Sequence, residues 1–478
     1  MATSLQLKLL SAEEVSSIYD KCLDHLSSKG VKVEHPQALR ILDKAGAWVD
    51  FDNQQVRFPK DVIEMALRKA PHALTLAGSN YSNDIVIPDP RKTFYTITEA
   101  VPFKYHDPDS KTYPDVTLAH LAEWAQLVGA LGEINSCGYL TPADVPAQTA
   151  DIHALKVLFE NTSKPIHVLP YSLESVEYLF QLALVVAGSA EALKNRPIIS
   201  IVPTSLAPFV LKAMDTEAII QACHYGVPIH SYSVLASGGN CPVTIAGTVL
   251  LSSIEILAQV VTSQLIEPGT PVIGGVLAGA LDMLTGRHRI SSVEGTLGAA
   301  ATVQFIKEAC HIPMSAHMLD SDSCIPDGQS MNQKTLGGLL GSMAGSDILA
   351  GAGNLGKIAS PVQLILDNSL VSIIKRVTLG IKVDDETLAW KDILDTIPGG
   401  HFIDRHHTLQ HCREALQSEL FVYEDMDAWK SKGSKDLYTR AIDRYRELKR
   451  GLQPRELPKD VQREMNLIVK RADERLGK

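Results

Sequence analysis

The chain has 478 residues, of which 45% are hydrophobic, 21% charged and only 6% aromatic. A chain this long and apolar can bury a sizeable core without disulfides or metals, and its ordinary glycine content excludes collagen-like and linker-dominated classes. The net charge of −10, from 45 Lys+Arg against 55 Asp+Glu, argues against nucleic acid as principal ligand, although residues 425–478 carry 15 basic against 10 acidic side chains.

Residues 1–92 read as a helical cap with a β-hairpin. Ser11-Ala12-Glu13-Glu14 opens an amphipathic helix to about Leu26, and a second spans about 36–45. Trp48-Val49-Asp50-Phe51 and Gln55-Val56-Arg57-Phe58 alternate with period two around Asp52-Asn53-Gln54, a hairpin signal, and Pro59 then opens a helix over 61–69. From residue 93 to 380 the pattern is a repeated beat of short apolar strand and longer helix. Strands are predicted at 94–99, 134–140, 165–171, 197–205, 228–235, 271–277, 313–319 and 348–353. Helices are predicted at 118–131, 149–161, 173–188, 211–225, 243–263, 292–309, 330–344 and 361–379. Five strands begin with proline, which tolerates a strand's first position. Eight βα units predict an α/β fold with the parallel sheet closed as a (βα)8 barrel; no G-x-G-x-x-G opens a first turn, which disfavours an open doubly wound sheet. Residues 381–478 read as a C-terminal helical extension, with helices near 384–394, 407–416, 435–449 and 458–475.

The seven cysteines are scattered, odd in number and free of C-x-x-C, so neither a disulfide framework nor a zinc site is predicted, and a reducing cytoplasm is expected. The N-terminus lacks the basic and apolar regions of a signal peptide. The most apolar stretch, 244–265, carries Glu255, Gln259 and Gln264, which predicts a buried helix and no membrane span.

In such a barrel the chemistry lies at the C-terminal strand ends. Those positions include Thr98 and Glu99; Tyr139 and Thr141; His167 and Tyr171; His230 to Ser233; His317 with Asp320 and Asp322; and Gly351 to Asn354. No His-x-His follows the first strand and no strand ends in lysine, which weakens metal-hydrolase and Schiff-base readings. Glu99 and Asp320 are the carboxylates available. Tyr95, Tyr139, Tyr171 and Tyr232 lie on or just past four strands, and aromatic faces attract quaternary ammonium groups. Strand tyrosines are also ordinary core residues, and parity forbids all of them from facing inward. His167, His230 and His317 on three strands stand between core and catalytic roles. Arg287-His288-Arg289 is the basic cluster nearest the mouth, and the glycines at 351 and 353 suit either a ligand loop or close packing.

The C-terminal third carries a specific order of segments: Leu319-Asp320-Ser321-Asp322, Asp327-Gly328-Gln329-Ser330, Gly351-Ala352-Gly353, Leu366-Asp367, Pro398-Gly399-Gly400-His401-Phe402 and Trp429-Lys430-Ser431-Lys432-Gly433. In these, and over almost its whole length, the chain resembles the trimethylamine methyltransferase family of corrinoid-protein-dependent enzymes. One departure matters. The archetypal members carry pyrrolysine near the seventh strand, whereas this chain has Ser315-Ala316-His317-Met318-Leu319 there. Members without pyrrolysine are associated with quaternary amines such as glycine betaine, proline betaine, carnitine and γ-butyrobetaine. The resemblance therefore implies transfer of an N-methyl group, with glycine betaine the first choice of substrate, to the Co(I) of a corrinoid (cobalamin) on a separate protein. It implies no cofactor or metal bound by this chain, a cognate corrinoid protein as partner, and a homo-oligomer. Expected catalytic residues are His317, Glu99 and Asp320. Expected substrate-binding residues are Tyr95, Tyr139, Tyr171, His167, His230, Tyr232, Arg287, Gly351 and Asn354. A non-catalytic amine-binding barrel is the alternative from another class.

Overall fold

The computed structural model describes residues 5–98 and 101–477. Eight strands build the barrel: β1 (Tyr95–Thr98), β2 (Cys137–Gly138), β3 (Ile166–Val168), β4 (Ile199–Ile201), β5 (Ile229–Ser237), β6 (Val272–Leu281), β7 (Met314–Ala316) and β8 (Ile348–Ala352). All pair in parallel with their chain neighbours from β2 to β8, and β8 pairs with β1. The ring closes between β1 and β2 through a parallel bridge of Ile97 with Ser136, with Asn135 N donating to Thr96 O at 2.7 Å.

The prolines before the strands explain part of the register. Proline has no N–H, but its carbonyl still accepts. Pro165, Pro228, Pro271 and Pro313 each accept the N–H of a residue on the preceding strand: Cys137, Ile201, Ile229 and Gly274. Each therefore sits one step outside its strand while fixing the neighbour's position.

The crossover helices are α1 (Leu118–Ala130), α2 (Ala150–Asn161), α3 (Ser175–Ala187), α4 (Ala213–Tyr225), α5 (Ile245–Ile266), α6 (Val293–Cys310), α7 (Gly328–Met343) and α8 (Pro361–Thr378). Their starts obey local chemistry. Thr117, Thr244, Ser292, Asp327 and Ser360 each accept a first-turn backbone N–H. Among the described residues α5 alone is long and apolar enough to cross a membrane, and 78% of its most apolar window is buried inside this fold.

β5 and β6 run longer than their apolar runs predict, reaching Ser237 and Leu281. The extra residues are small, Ala278-Gly279-Ala280 among them, so hydropathy did not mark them. Beyond the barrel rim, His288–Arg289 folds back antiparallel on the end of β6.

Residues 5–92 share the barrel's core. Helices Ala12–Ser28, Pro36–Lys44 and Lys60–Lys69 pack with the hairpin Trp48–Asp50 and Gln55–Arg57. Strand Val31–Val33 pairs in parallel with Val210–Leu211 from the loop after β4. A second hairpin, Leu74–Leu76 with Ile85–Ile87, closes the N-terminal end of the barrel. Its Leu74, Leu76, Ile85 and Ile87 cluster with Tyr95, Ile273 and Ile348 from the strands. In the extension, Leu437–Lys449 packs on α8 and α1, and Lys459–Leu476 on α3 and α2. The helices expected over 384–394 and 407–416 shorten to Trp390–Leu394 and His406–His411, because neither buries a face.

Candidate functional site

A cavity of about 330 Å³ lies inside the C-terminal end of the barrel. Period two decides what enters it. On β5, His230, Tyr232 and Val234 face the cavity, while Ser233, on the opposite face, donates to Glu255 of α5 at 2.6 Å. Ile97, Leu169, Val202, Met214, Leu277 and Ala350 give apolar walls from other strands and loops. Tyr232 crosses toward β7, where its hydroxyl lies 2.9 Å from Ser315 Oγ. Gly275 makes room for the ring: a Cβ there would stand 2.2 Å from a Tyr232 ring carbon.

Two imidazoles lie deep in the barrel. The rings of His167 and His230 meet edge to face with centroids 4.6 Å apart. His167 Nδ1 lies 2.7 Å from Ser200 Oγ. His167 Nε2 and both ring nitrogens of His230 have no hydrogen-bond partner among the described residues. Burial lowers the His167 pKa to about 3 and drives that of His230 well below its ordinary value, with His167 reinforcing the latter. Both rings are therefore uncharged at neutral pH, so they do not repel a bound cation.

His317 lines the same cavity, and its Nε2 lies 2.9 Å from Asp320 Oδ2. Asp320 is fully enclosed. Burial pushes its carboxyl up, but the His317 bond and the charges of His317 and Lys334 prevail and hold it below the ordinary range. Ser321 N (2.7 Å) and Gly356 N (3.3 Å) donate to its other oxygen. Asp320 thus orients His317 from behind.

The rim carries charges that the sequence reading missed. Lys212 Nζ lies 2.9 Å from Asp215 Oδ2, and Thr204 N donates to Asp215 Oδ1 at 2.9 Å. Burial raises the Asp215 carboxyl against the opposing pull of Lys212. Lys357, from the short hairpin after β8, exposes its ammonium at the opening. The i, i+3 spacing of Lys212 and Asp215 at a helix start was visible in the sequence. Lys357 had no local signal, because a loop reaching over the barrel is a long-range event.

Several expected site residues lie elsewhere. Tyr95 begins β1, so it faces the closed N-terminal end and clusters with the plugging hairpin rather than the mouth. Tyr139 is wholly buried outside the cavity, with its hydroxyl accepting from Leu169 N at 3.0 Å. Tyr171 turns to Thr141, 2.7 Å between hydroxyl oxygens, and meets Tyr139 edge-on. Of the four expected tyrosines, Tyr232 alone lines the cavity. Arg287 stands exposed on the turn beyond β6. Gly351 and Asn354 do not line the cavity either. Gly351 O accepts from buried Lys334 at 3.1 Å, and its positive φ of 105° brings the chain against the Leu319 backbone. Asn354 Nδ2 lies 3.5 Å from Asp320. The glycine-rich loop serves close packing. Glu99 falls outside the described residues. His167, His230, Tyr232 and His317 are the expected residues that the fold brings together.

Among the described residues no group of three or more His, Cys, Asp and Glu is placed to hold a metal ion. The architecture is that of a small-molecule barrel enzyme: a cavity at the C-terminal strand ends, apolar within, imidazole-floored and cationic at the rim. The chain belongs to the trimethylamine methyltransferase (MTTB) family, whose model matches residues 2–477; it is a methyltransferase. It is 32% identical over 473 residues to the trimethylamine methyltransferase MttB of Desulfitobacterium hafniense, covering 98% of this chain and 94% of that one. It is 24% identical over 475 residues to the glycine betaine methyltransferase of D. hafniense strain Y51, covering 98% of each. Among solved structures, the monomethylamine methyltransferase MtmB of Methanosarcina barkeri has the same fold, with a TM-score of 0.50, 11% identity and 93% of each chain covered.

Proposed function

We propose that this methyltransferase takes an N-methyl group from a quaternary ammonium carboxylate, glycine betaine first, and transfers it to the Co(I) of a separate corrinoid protein, releasing dimethylglycine. The observation that carries this reading is the pairing of a largely apolar cavity interior, floored by the neutral imidazoles of His167 and His230, with Lys357 exposed at its rim. A quaternary nitrogen is weakly hydrated and suits apolar walls, one tyrosine face and neutral imidazoles. The carboxylate of a betaine suits the lysine, whereas trimethylamine has no group to meet it. The residues 315–319, Ser-Ala-His-Met-Leu, supply no unusual electrophile for a tertiary amine.

The corrinoid supplies the methyl acceptor. A C–N bond breaks as the methyl carbon bonds to cobalt, and the electron pair stays on nitrogen, which leaves as a neutral tertiary amine. This chain's part is to hold the substrate with one methyl toward the opening and to exclude water. Positioning of that kind is worth up to about 7–11 kcal/mol when alignment is near ideal. Asp320 fixes the His317 ring at the cavity wall, so the space beside the reacting nitrogen keeps one shape. The free cysteines and the absence of C-x-x-C suit a reducing cytoplasm.

The relatives named for trimethylamine are more similar to this chain than the one named for glycine betaine, so the test must include both substrates. The chain is incubated with its corrinoid protein reduced to Co(I) and with glycine betaine, proline betaine, carnitine, γ-butyrobetaine or trimethylamine. The expected result is loss of Co(I) absorption with glycine betaine and dimethylglycine as product. Turnover of trimethylamine alone would overturn the substrate assignment, and no turnover with any of them would leave a non-catalytic amine-binding barrel.

A further inference from the structure

Lys357 stands on the turn between two short strands, Asn354–Leu355 and Ile358–Ala359, which pair antiparallel. A two-residue ladder is marginal by itself, so its flanks decide where the lysine stands. On the inner side Gly356 N donates to Asp320 Oδ1 at 3.3 Å, and Asn354 Nδ2 lies 3.5 Å from Asp320 Oδ2. On the outer side Lys104–Tyr105, from the loop after β1, pairs in parallel with Ile358–Ala359. Phe103 N and Lys104 N both donate to Lys357 O at 3.3 Å, and His106 N donates to Ala359 O at 2.8 Å. The loop after β1 thus grips the backbone of Lys357 itself.

Tyr105 links that grip to the C-terminal tail. Its ring is buried and stacks on His120 of α1, with centroids 4.4 Å apart and planes 4° off parallel. Its hydroxyl donates to Glu123 Oε1 at 2.8 Å. The same oxygen accepts from the hydroxyl of Tyr445, a buried residue of the tail helix Leu437–Lys449. Lys449 Nζ completes the joint, 2.7 Å from Glu123 Oε2 and 2.9 Å from the Tyr445 hydroxyl. Burial, with Glu123 behind it, raises the pKa of both phenols, so both remain donors at neutral pH. Hydrogen bonds to an ionised carboxylate are roughly twice as strong as neutral ones, which makes this a firm joint. One carboxylate therefore ties α1, the loop after β1 and the tail together. Arg446 of the same helix also pairs with Asp109 of the same loop at 2.8 Å, but that contact is exposed and weak.

We propose that the tail helix positions the rim lysine: Tyr445 and Lys449, through Glu123 and Tyr105, hold residues 104–105 against the 354–359 hairpin and so keep the Lys357 ammonium where a substrate carboxylate meets it. This rests on the assignment of Lys357 to that carboxylate. Tyr445 lies outside the cavity lining and acts as a positioning residue. Calorimetric titration of the full-length chain with glycine betaine and with tetramethylammonium, a quaternary cation without a carboxylate, tests it. Tyr445→Phe with Lys449→Met keeps the ring and the aliphatic stem and removes the joint. That pair should raise the dissociation constant for glycine betaine about five-fold and leave the one for tetramethylammonium unchanged. Lys357→Met should weaken glycine betaine alone, and adding the tail pair to it should change nothing further. Amides 355–359 should exchange faster in the tail variant than in the parent. Equal weakening of both ligands would mark a general loosening and overturn the proposal. So would a tail effect that persists in the Lys357→Met background. An unchanged glycine betaine constant in the tail variant, with Lys357→Met still weakened, would overturn the positioning and leave the substrate reading standing. No effect of Lys357→Met would instead overturn the carboxylate assignment, and the positioning with it.

Discussion

The two ends of the barrel each rest on one buried lysine, and the two are satisfied differently. At the closed end, Lys164 donates to the carbonyls of Val128 (2.7 Å), Leu131 (2.6 Å) and Ile134, with no carboxylate among them. Burial lowers its pKa to about 8. At the open end, Lys334 donates to Leu319 O (2.5 Å), Gly351 O (3.1 Å) and Asp367 Oδ2 (2.9 Å), tying the ends of β7 and β8 to α8. One end is held by dipoles and can release its proton. The other is held by a buried ion pair beneath the cavity wall. The closed end also buries Tyr95 against apolar neighbours, whereas the open end leaves the nitrogens of His230 without partners. At the open end the unmatched imidazole nitrogens of His167 and His230 line the cavity, where a ligand can meet them.

The comparison can be broken most sharply at Lys334. Lys334→Met should cost about 3–5 kcal/mol in urea unfolding, because it leaves the buried Asp367 carboxyl without its counter-ion. Adding Asp367→Leu should recover much of that loss. Lys164→Met leaves carbonyls but no charge, so its cost should be about 1–3 kcal/mol. A larger loss at Lys164 than at Lys334 would reverse the reading of the two ends.

Ligand binding sharpens the same contrast. Tyr232→Ala should raise KM for glycine betaine about ten-fold, within the ~0.5–2 kcal/mol range of cation–π contacts. The imidazoles give a pH signature. The pKa of His167 is lower in the folded chain, so between pH 6.5 and about 3 the unfolded chain binds the extra proton. Its contribution is complete above pH 6.5 and falls by about 1.4 kcal/mol per unit as pH drops through that window. His167→Asn should remove this slope, and stability profiles of the two proteins check it. The smallest effect is expected at Tyr95→Phe, which should leave KM unchanged because the ring lies at the closed end. A KM shift there would return Tyr95 to the site.

The barrel was legible because its signals are local. Apolar runs mark the strands, prolines mark their starts, and Ser, Thr and Asp mark helix starts within a few residues of where they fall. Parity said that the strand tyrosines could not all face inward but not which side His167, His230 and Tyr232 take; the structure turns all three into the cavity. Less legible were the position of a side chain along its strand and the point where a strand gives way to its loop. Tyr95 and Tyr232 look alike in sequence, but one opens its strand and the other sits midway along a longer one. Tyr139 and Tyr171 lie past the strand ends, where the chain has turned toward packed neighbours.

The eightfold strand–helix beat was enough to determine an α/β barrel. Which tyrosine meets the cavity, which lysine guards its rim and which glycines merely pack were decided by the tertiary structure. Those outcomes depend on contacts between segments far apart in the chain, and no local pattern encodes a long-range contact.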